Sequence, residues 1–266
     1  MNKYKKIVSI AATAVMCVAP MSVYAQEAQT DVIEAVAEKK QDTESSSVPV
    51  LQKEGIEISE GTGYDLSKEP GAATVKALDQ GTIVISYKTT SENAIQSLLS
   101  VGNGTKGNQD RHFHLYITNA GGVGMELRNT DGEFKYTLDC PAAVRGSYKG
   151  ERVSNTVALK ADKENKQYKL FANGELIATL DQEAFKFISD ITGVDNVMLG
   201  GTMRQGTVAY PFGGSIERMQ VYRDVLSDDE LIAVTGKTIY AENIFYAGDA
   251  TKSNYFRRSE EHTSEL

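Results

Sequence analysis

The side chains that can do chemistry in this 266-residue sequence gather in two short stretches. In the first, Glu126 and Arg128 lie two residues apart, and Tyr116 falls in the segment before them. In the second, Arg204 and Tyr210 sit on a long polar loop, Thr202–Tyr210. A guanidinium is a planar fork that pairs a carboxylate through two parallel hydrogen bonds. Two such forks brought together would hold an organic anion, even on a chain whose net charge is −8, because overall charge governs solubility rather than one pocket. Charged residues at this spacing also occur simply as the solvated face of a strand. Spacing alone leaves both readings open.

Other arrangements carry less. His112 and His114 share a strand face and are suited to zinc, but no third ligand stands at motif spacing, so no metal or other cofactor is expected. Asp110 and Asp195 are turn acids without the spacing of an EF-hand. Gly102-Asn103-Gly104-Thr105-Lys106-Gly107 matches a dinucleotide fingerprint, yet a strand follows it where that fold needs a helix, and a glycine-rich turn is expected instead. Neither a Gly-x-Ser-x-Gly elbow nor a His-Glu-x-x-His helix is present, and no catalytic site is expected within the chain.

The elements that must position these side chains read as strands. Ile83, Ile85 and Tyr87 alternate with Val84, Ser86 and Lys88. Phe113, Leu115 and Ile117 alternate with His112, His114, Tyr116 and Thr118, and Val123, Met125 and Leu127 alternate with Gly124, Glu126 and Arg128. Period-two alternation marks strands with one face buried. If the last two segments pair, Tyr116, Glu126 and Arg128 share one surface. Phe134, Tyr136, Leu138 and Cys140 follow the apolar parity of a further strand, so Cys140 is expected to be buried and inert. Thr156–Ala161 and Gln167–Ala172 flank a polar turn, and Asn173-Gly174 is a two-residue hairpin signal leading into Glu175–Leu180. Ser227-Asp228-Asp229-Glu230 is a capping box that opens one helix. Many short strands with polar turns imply an all-β sandwich.

At the ends, Lys3, Lys5 and Lys6, the apolar run Ile7–Val18 and Val23-Tyr24-Ala25 make residues 1–25 a signal peptide, which implies secretion. Its removal takes away three lysines and no acids and moves the net charge from −8 to −11. Cys17 leaves with it, so Cys140 has no intrachain partner. Residues 26–49 read as an acidic, flexible linker. Neither a basic nucleic-acid footprint nor a membrane-inserting segment is expected.

Three stretches resemble known families. GGSIERMQVYRDVLSDDEL, from Gly213 to Leu231, is similar to the closing strand and helix of concanavalin A/laminin-G-like jelly rolls. Ile239–Gly248 looks like the lead-in strand of a sialidase propeller, and Asn254-Tyr255-Phe256-Arg257 resembles the opening Phe/Tyr-Arg-Ile-Pro of a bacterial sialidase catalytic domain, with Arg257 the first of its three arginines. The Ile-Pro does not follow; residues 258–266 resemble the translation of a sequencing adapter, and this tail is expected to be disordered. A jelly roll before a sialidase domain is similar to the family 40 carbohydrate-binding module, which binds terminal sialic acid. That resemblance covers Val50 to Thr235. It implies that Arg128 and Arg204 hold the sugar carboxylate, Glu126 accepts from the acetamido N–H, Tyr116 and Tyr210 line the site, and Ile95 packs on the acetyl methyl. It further implies a monomeric, non-enzymatic module at 50–237, cut off from a catalytic domain beginning at 238–257 and targeting a secreted exo-α-sialidase or intramolecular trans-sialidase to sialylated glycans such as mucin. An adhesion module for neutral glycan or protein, and a spacer that binds nothing, are the alternatives.

Overall fold

The computed structural model describes residues 47–242, apart from 91–93, 106, 108–109, 120, 130–133, 141–146, 149–150 and 153. The signal peptide, nearly all of the linker, Arg257 and the adapter-like tail lie outside the described residues.

Two six-stranded antiparallel sheets form the sandwich expected from the sequence. The first runs β1 (Leu51–Ile58), β16 (Gly214–Tyr222), β3 (Gly81–Thr89), β10 (Asn155–Asp162), β11 (Gln167–Ala172), β12 (Glu175–Asp181). The second runs β2 (Tyr64–Asp65), β13 (Asn196–Leu199), β4 (Gln96–Gly102), β5 (His112–Ile117), β6 (Val123–Asn129), β7 (Phe134–Cys140). Two small ribbons join β8 (Ser147–Tyr148) to β9 (Glu151–Arg152) and β14 (Thr202–Arg204) to β15 (Thr207–Ala209). The helices are α1 (Ala72–Lys76) and α2 (Asp228–Glu242).

The core lies between the sheets. Ile83, Ile85 and Tyr87 from one side and Leu99, Phe113, Leu115 and Leu127 from the other are fully buried there. Phe113 meets Phe187 edge-on, with ring centroids 5.7 Å apart. The aliphatic and phenylalanine side chains among them each contribute about 1.5–3 kcal/mol by leaving water.

Several expectations are corrected by what covers the strands. β3 is buried on both faces, because Val84 packs with Ala158, Phe171, Leu226 and Leu231 beneath α2. The capping box forms: Ser227 Oγ accepts from the Glu230 N–H at 3.2 Å, and Glu230 Oε2 accepts from the Ser227 N–H at 2.7 Å. The helix then runs through Glu242, so Ile239–Glu242 are helical rather than the start of a propeller strand, and 243–248 lie outside the described residues. Ile239 and Tyr240 favour strands locally, but extending an existing helix gains one hydrogen bond per residue fixed. Thr235 Oγ1 accepts from the Gly174 N–H at 3.0 Å and pins the helix to the β11–β12 turn. That turn has φ of 50° at Asn173 and 87° at Gly174, the left-handed pair a two-residue hairpin requires. Cys140 is a free thiol at the end of β7, the edge strand of its sheet, and only half-buried.

Candidate functional site

The outer face of the second sheet carries the site. β5 and β6 pair antiparallel with Tyr116 opposite Gly124, His114 opposite Glu126 and His112 opposite Arg128. The neighbour relation expected from the sequence therefore holds. The odd positions of β5 enter the core, so His112, His114 and Tyr116 line the other face with Glu126 and Arg128.

That face is not a solvated one. The β14–β15 hairpin folds over β4 and β5. Ser97 and Ser100 of β4 are buried beneath it; Thr202 Oγ1 donates to Ser97 Oγ at 3.0 Å, and Ser100 Oγ donates to the Gly201 carbonyl at 2.8 Å. The hairpin replaces the loop expected at Thr202–Tyr210. Its turn, Gln205-Gly206, has φ of 53° and 78°, which a non-glycine residue at the first position made hard to foresee. Tyr210 also has a positive φ, 52°, a conformation that costs a non-glycine residue about 1–3 kcal/mol. The Tyr210 carbonyl accepts from the Ser97 N–H at 2.9 Å.

The hairpin brings the second arginine to the first. Arg128 Nη2 lies 3.1 Å from Asp110 Oδ1, and Arg204 Nη2 lies 3.2 Å from the same oxygen. The other end of each guanidinium is also held: Arg128 Nη1 lies 3.4 Å from Glu126 Oε1, and Arg204 Nη1 donates to Tyr210 Oη at 2.9 Å. Arg204 lies over the Tyr210 ring, 5.6 Å from its centroid. The Tyr210 ring packs 5.2 Å from that of His114, which lies 4.5 Å from that of Tyr116. Tyr116 O–H donates to the Asp139 carboxylate. Burial, and then Asp139, raise its phenol pKa, so it remains a neutral donor.

The structure thus brings together Tyr116, Glu126, Arg128, Arg204 and Tyr210. Ile95 is not in the bonded cluster. It precedes β4, 40% exposed, two residues before Ser97, which pairs with Tyr116. Asp110, His112, His114 and Asp139 were not among the site residues expected. Parity is the signal that would have found Asp110, which precedes His112 by two.

Glu126 has His112 Nε2 at 3.2 Å and Lys135 Nζ at 3.5 Å beside it in addition to Arg128. Burial opposes its ionisation, but His112, His114 and Arg128 outweigh burial and lower the carboxyl to about 2. Burial, then the charge of His112, push His114 down to about 3. His112, His114 and Glu126 are the one set of potential metal donors among the described residues, with donor atoms within 4.8 Å of one another. Arg128 and Lys135 beside Glu126 make this poor ground for a cation.

The two depressed values set an acid limit. Below pH 6.5 the unfolded chain binds a proton at His114 that the folded chain refuses until about 3, and below 4.5 the same holds for Glu126 until about 2. The unfolded state binds more protons in both windows, so stability falls as pH is lowered. The urea midpoint is expected to drop from pH 6.5 to pH 4, and His114→Gln should flatten the limb above pH 4.5. An unchanged limb in the variant would assign the loss to other groups.

Residues 33–238 match the family model for the sialidase N-terminal domain. The chain belongs to that family. It is 65% identical over 242 residues to the anhydrosialidase of Macrobdella decora, covering 89% of this chain and 32% of that protein. It is 29% identical over 205 residues to sialidase B of Streptococcus pneumoniae, covering 75% of this chain and 29% of the relative. The chain therefore spans about a third of the length of these relatives. Among solved structures, the CBM40 of the Ruminococcus gnavus IT-sialidase bound to α2,6 sialyllactose is 98% identical, with a TM-score of 0.70, covering 71% of this chain and all of that one. The sialidase N-terminal domain described here is thus a concanavalin A-like jelly roll of the family 40 kind.

Proposed function

We propose that this domain binds terminal sialic acid on glycans, with Arg128 and Arg204 clamping the carboxylate. The observation that carries this reading is the meeting of two guanidiniums, one from β6 and one from the β14–β15 hairpin, at a single carboxylate oxygen, that of Asp110. Arginines spaced to share one carboxylate are spaced to share another. Glu126, kept ionised, accepts from the acetamido N–H. The Tyr116 and Tyr210 rings flank the sugar, and Ile95, exposed at the same end of the sheet, meets the acetyl methyl. The sialyllactose complexes of the family 40 neighbour support the same ligand class. In the intact protein the domain would tether a secreted exo-α-sialidase or intramolecular trans-sialidase to sialylated surfaces such as mucin, where tethering raises effective affinity without new contacts.

The test is titration of the full chain with 3′- and 6′-sialyllactose, with lactose as control, by calorimetry and ligand-observed NMR. Charge-assisted bonds contribute about 1.5–3 kcal/mol each, and ordering and desolvation offset much of it. A dissociation constant on the order of 0.1–1 mM is expected, with no response to lactose and no turnover of a sialoside. Equal binding of lactose would make this a neutral-glycan module, and no binding of either would leave a spacer.

A further inference from the structure

We infer that Asp110 is a positioning residue of the sialic-acid site, a fixed internal anion that holds the two arginines in the geometry that receives the ligand. The inference rests on the reading above. One oxygen, Asp110 Oδ1, sits 3.1 Å from Arg128 Nη2 and 3.2 Å from Arg204 Nη2. Two like charges brought this close repel each other, and at the edge of a protein that repulsion is several-fold stronger than in water. A carboxylate between them turns the repulsion into a bridge. With Glu126 and Tyr210 at the opposite ends, each guanidinium plane is held at both of its terminal nitrogens. Five N–H donors belong to each guanidinium, so contacts to Asp110 and to Glu126 or Tyr210 are compatible with a second carboxylate.

Asp110 is built in rather than loosely placed. The next residue, Arg111, is tied by its carbonyl to the Asn103 N–H at 2.8 Å. Asp195 accepts from the Gly104 N–H at 2.9 Å and from Thr105 Oγ1 at 3.2 Å. The Gly104 carbonyl in turn accepts from the Gly206 N–H, in the turn of the hairpin that carries Arg204, at 2.8 Å. The segment bearing Asp110 and the hairpin bearing Arg204 are therefore fastened to each other. A carboxylate anchored in this way is suited to stay in place when ligand arrives, not to swing out and make room.

The experiment compares wild type, Asp110→Ala and Asp110→Asn in the full chain. Each is titrated with 3′-sialyllactose, the Nε–Hε resonances of Arg128 and Arg204 are followed by NMR, and unfolding midpoints control for folding. Asp110→Ala is expected to weaken binding about 10-fold and to shift both arginine resonances while leaving the midpoint near that of wild type. Asp110→Asn, which keeps an acceptor without the charge, should recover part of the loss. Unchanged or tighter binding by Asp110→Ala would overturn the inference, and tighter binding would mean that Asp110 competes with the ligand. Still arginine resonances in that variant would overturn it equally. Failure of wild type to bind sialyllactose would instead bring down the functional reading, and this inference with it.

Discussion

Arg128→Ala and Arg204→Ala are each expected to weaken sialyllactose binding by about 10- to 100-fold, the loss of about 1.5–3 kcal/mol that goes with one charge-assisted hydrogen bond. Starting from a dissociation constant on the order of 0.1–1 mM, either variant should show no saturable shift in an NMR titration. Arg128 should matter more. It lies against both Glu126 and Asp110, so its removal uncovers one side of two carboxylates to an incoming anion, whereas loss of Arg204 uncovers one side of Asp110 alone. Neither change should unfold the domain, since both side chains are about a quarter exposed on the outer face of the sheet. Arg→Lys at either position keeps the charge but not the fork, and should recover only part of the affinity. Binding that survives both alanine changes would show that the ligand is not recognised as a carboxylate.

The sandwich was legible because its inner faces obey a period of two. Phe113, Leu115 and Ile117 and the partners Val123, Met125 and Leu127 are all buried, and the Asn173-Gly174 turn sits where the dipeptide placed it. Alternation fails where something covers the second face. β4 shows none, because Gln96, Ser97 and Ser100 are as buried as Leu98 and Leu99. Their polar atoms are satisfied from outside the strand, Gln96 by the Thr89 hydroxyl and Ser100 by the Gly201 carbonyl. A strand buried through its hydrogen bonds reads as a polar loop to any argument from hydropathy. Val84 was misplaced for the complementary reason: the helix that covers it lies more than a hundred residues away in sequence.

The site divides along the same line. Glu126 and Arg128 could be placed on one face because they belong to one strand and parity binds them. Arg204 comes from a separate hairpin, and no spacing rule connects it to β6. What joins them is Asp110, which in sequence is one acid among 36 acidic residues. The histidines share a strand face suited to zinc but lack a third ligand at motif spacing, and both are nearly fully buried, His112 at 2% and His114 at 4% exposure. Their roles are to hold Glu126 and to stack between the tyrosines. Only the register of β5 on β6 makes those roles visible.

The same register singles out a residue with no side chain at all. Gly124→Ala is expected to cost about 1–3 kcal/mol of stability by overpacking and to weaken ligand binding as well. Gly124 lies between Tyr116 on β5 and Asp139 on β7. The Tyr116 ring crosses this bare position to reach the Asp139 carboxylate. A Cβ there would stand 2.6 Å from the Tyr116 ring carbon that bears the hydroxyl and 2.1 Å from Asp139 Oδ1. The carboxylate can rotate aside; the ring, packed against His114, cannot do so without disturbing the stack that reaches Tyr210. The methyl therefore acts on the site through Tyr116 rather than through the backbone, which gives a double-mutant test. In a Tyr116→Ala background the space is open, and adding Gly124→Ala should change sialyllactose affinity little. If it weakens binding equally in both backgrounds, the ring is not the intermediary, and Gly124 serves the sheet rather than the sugar.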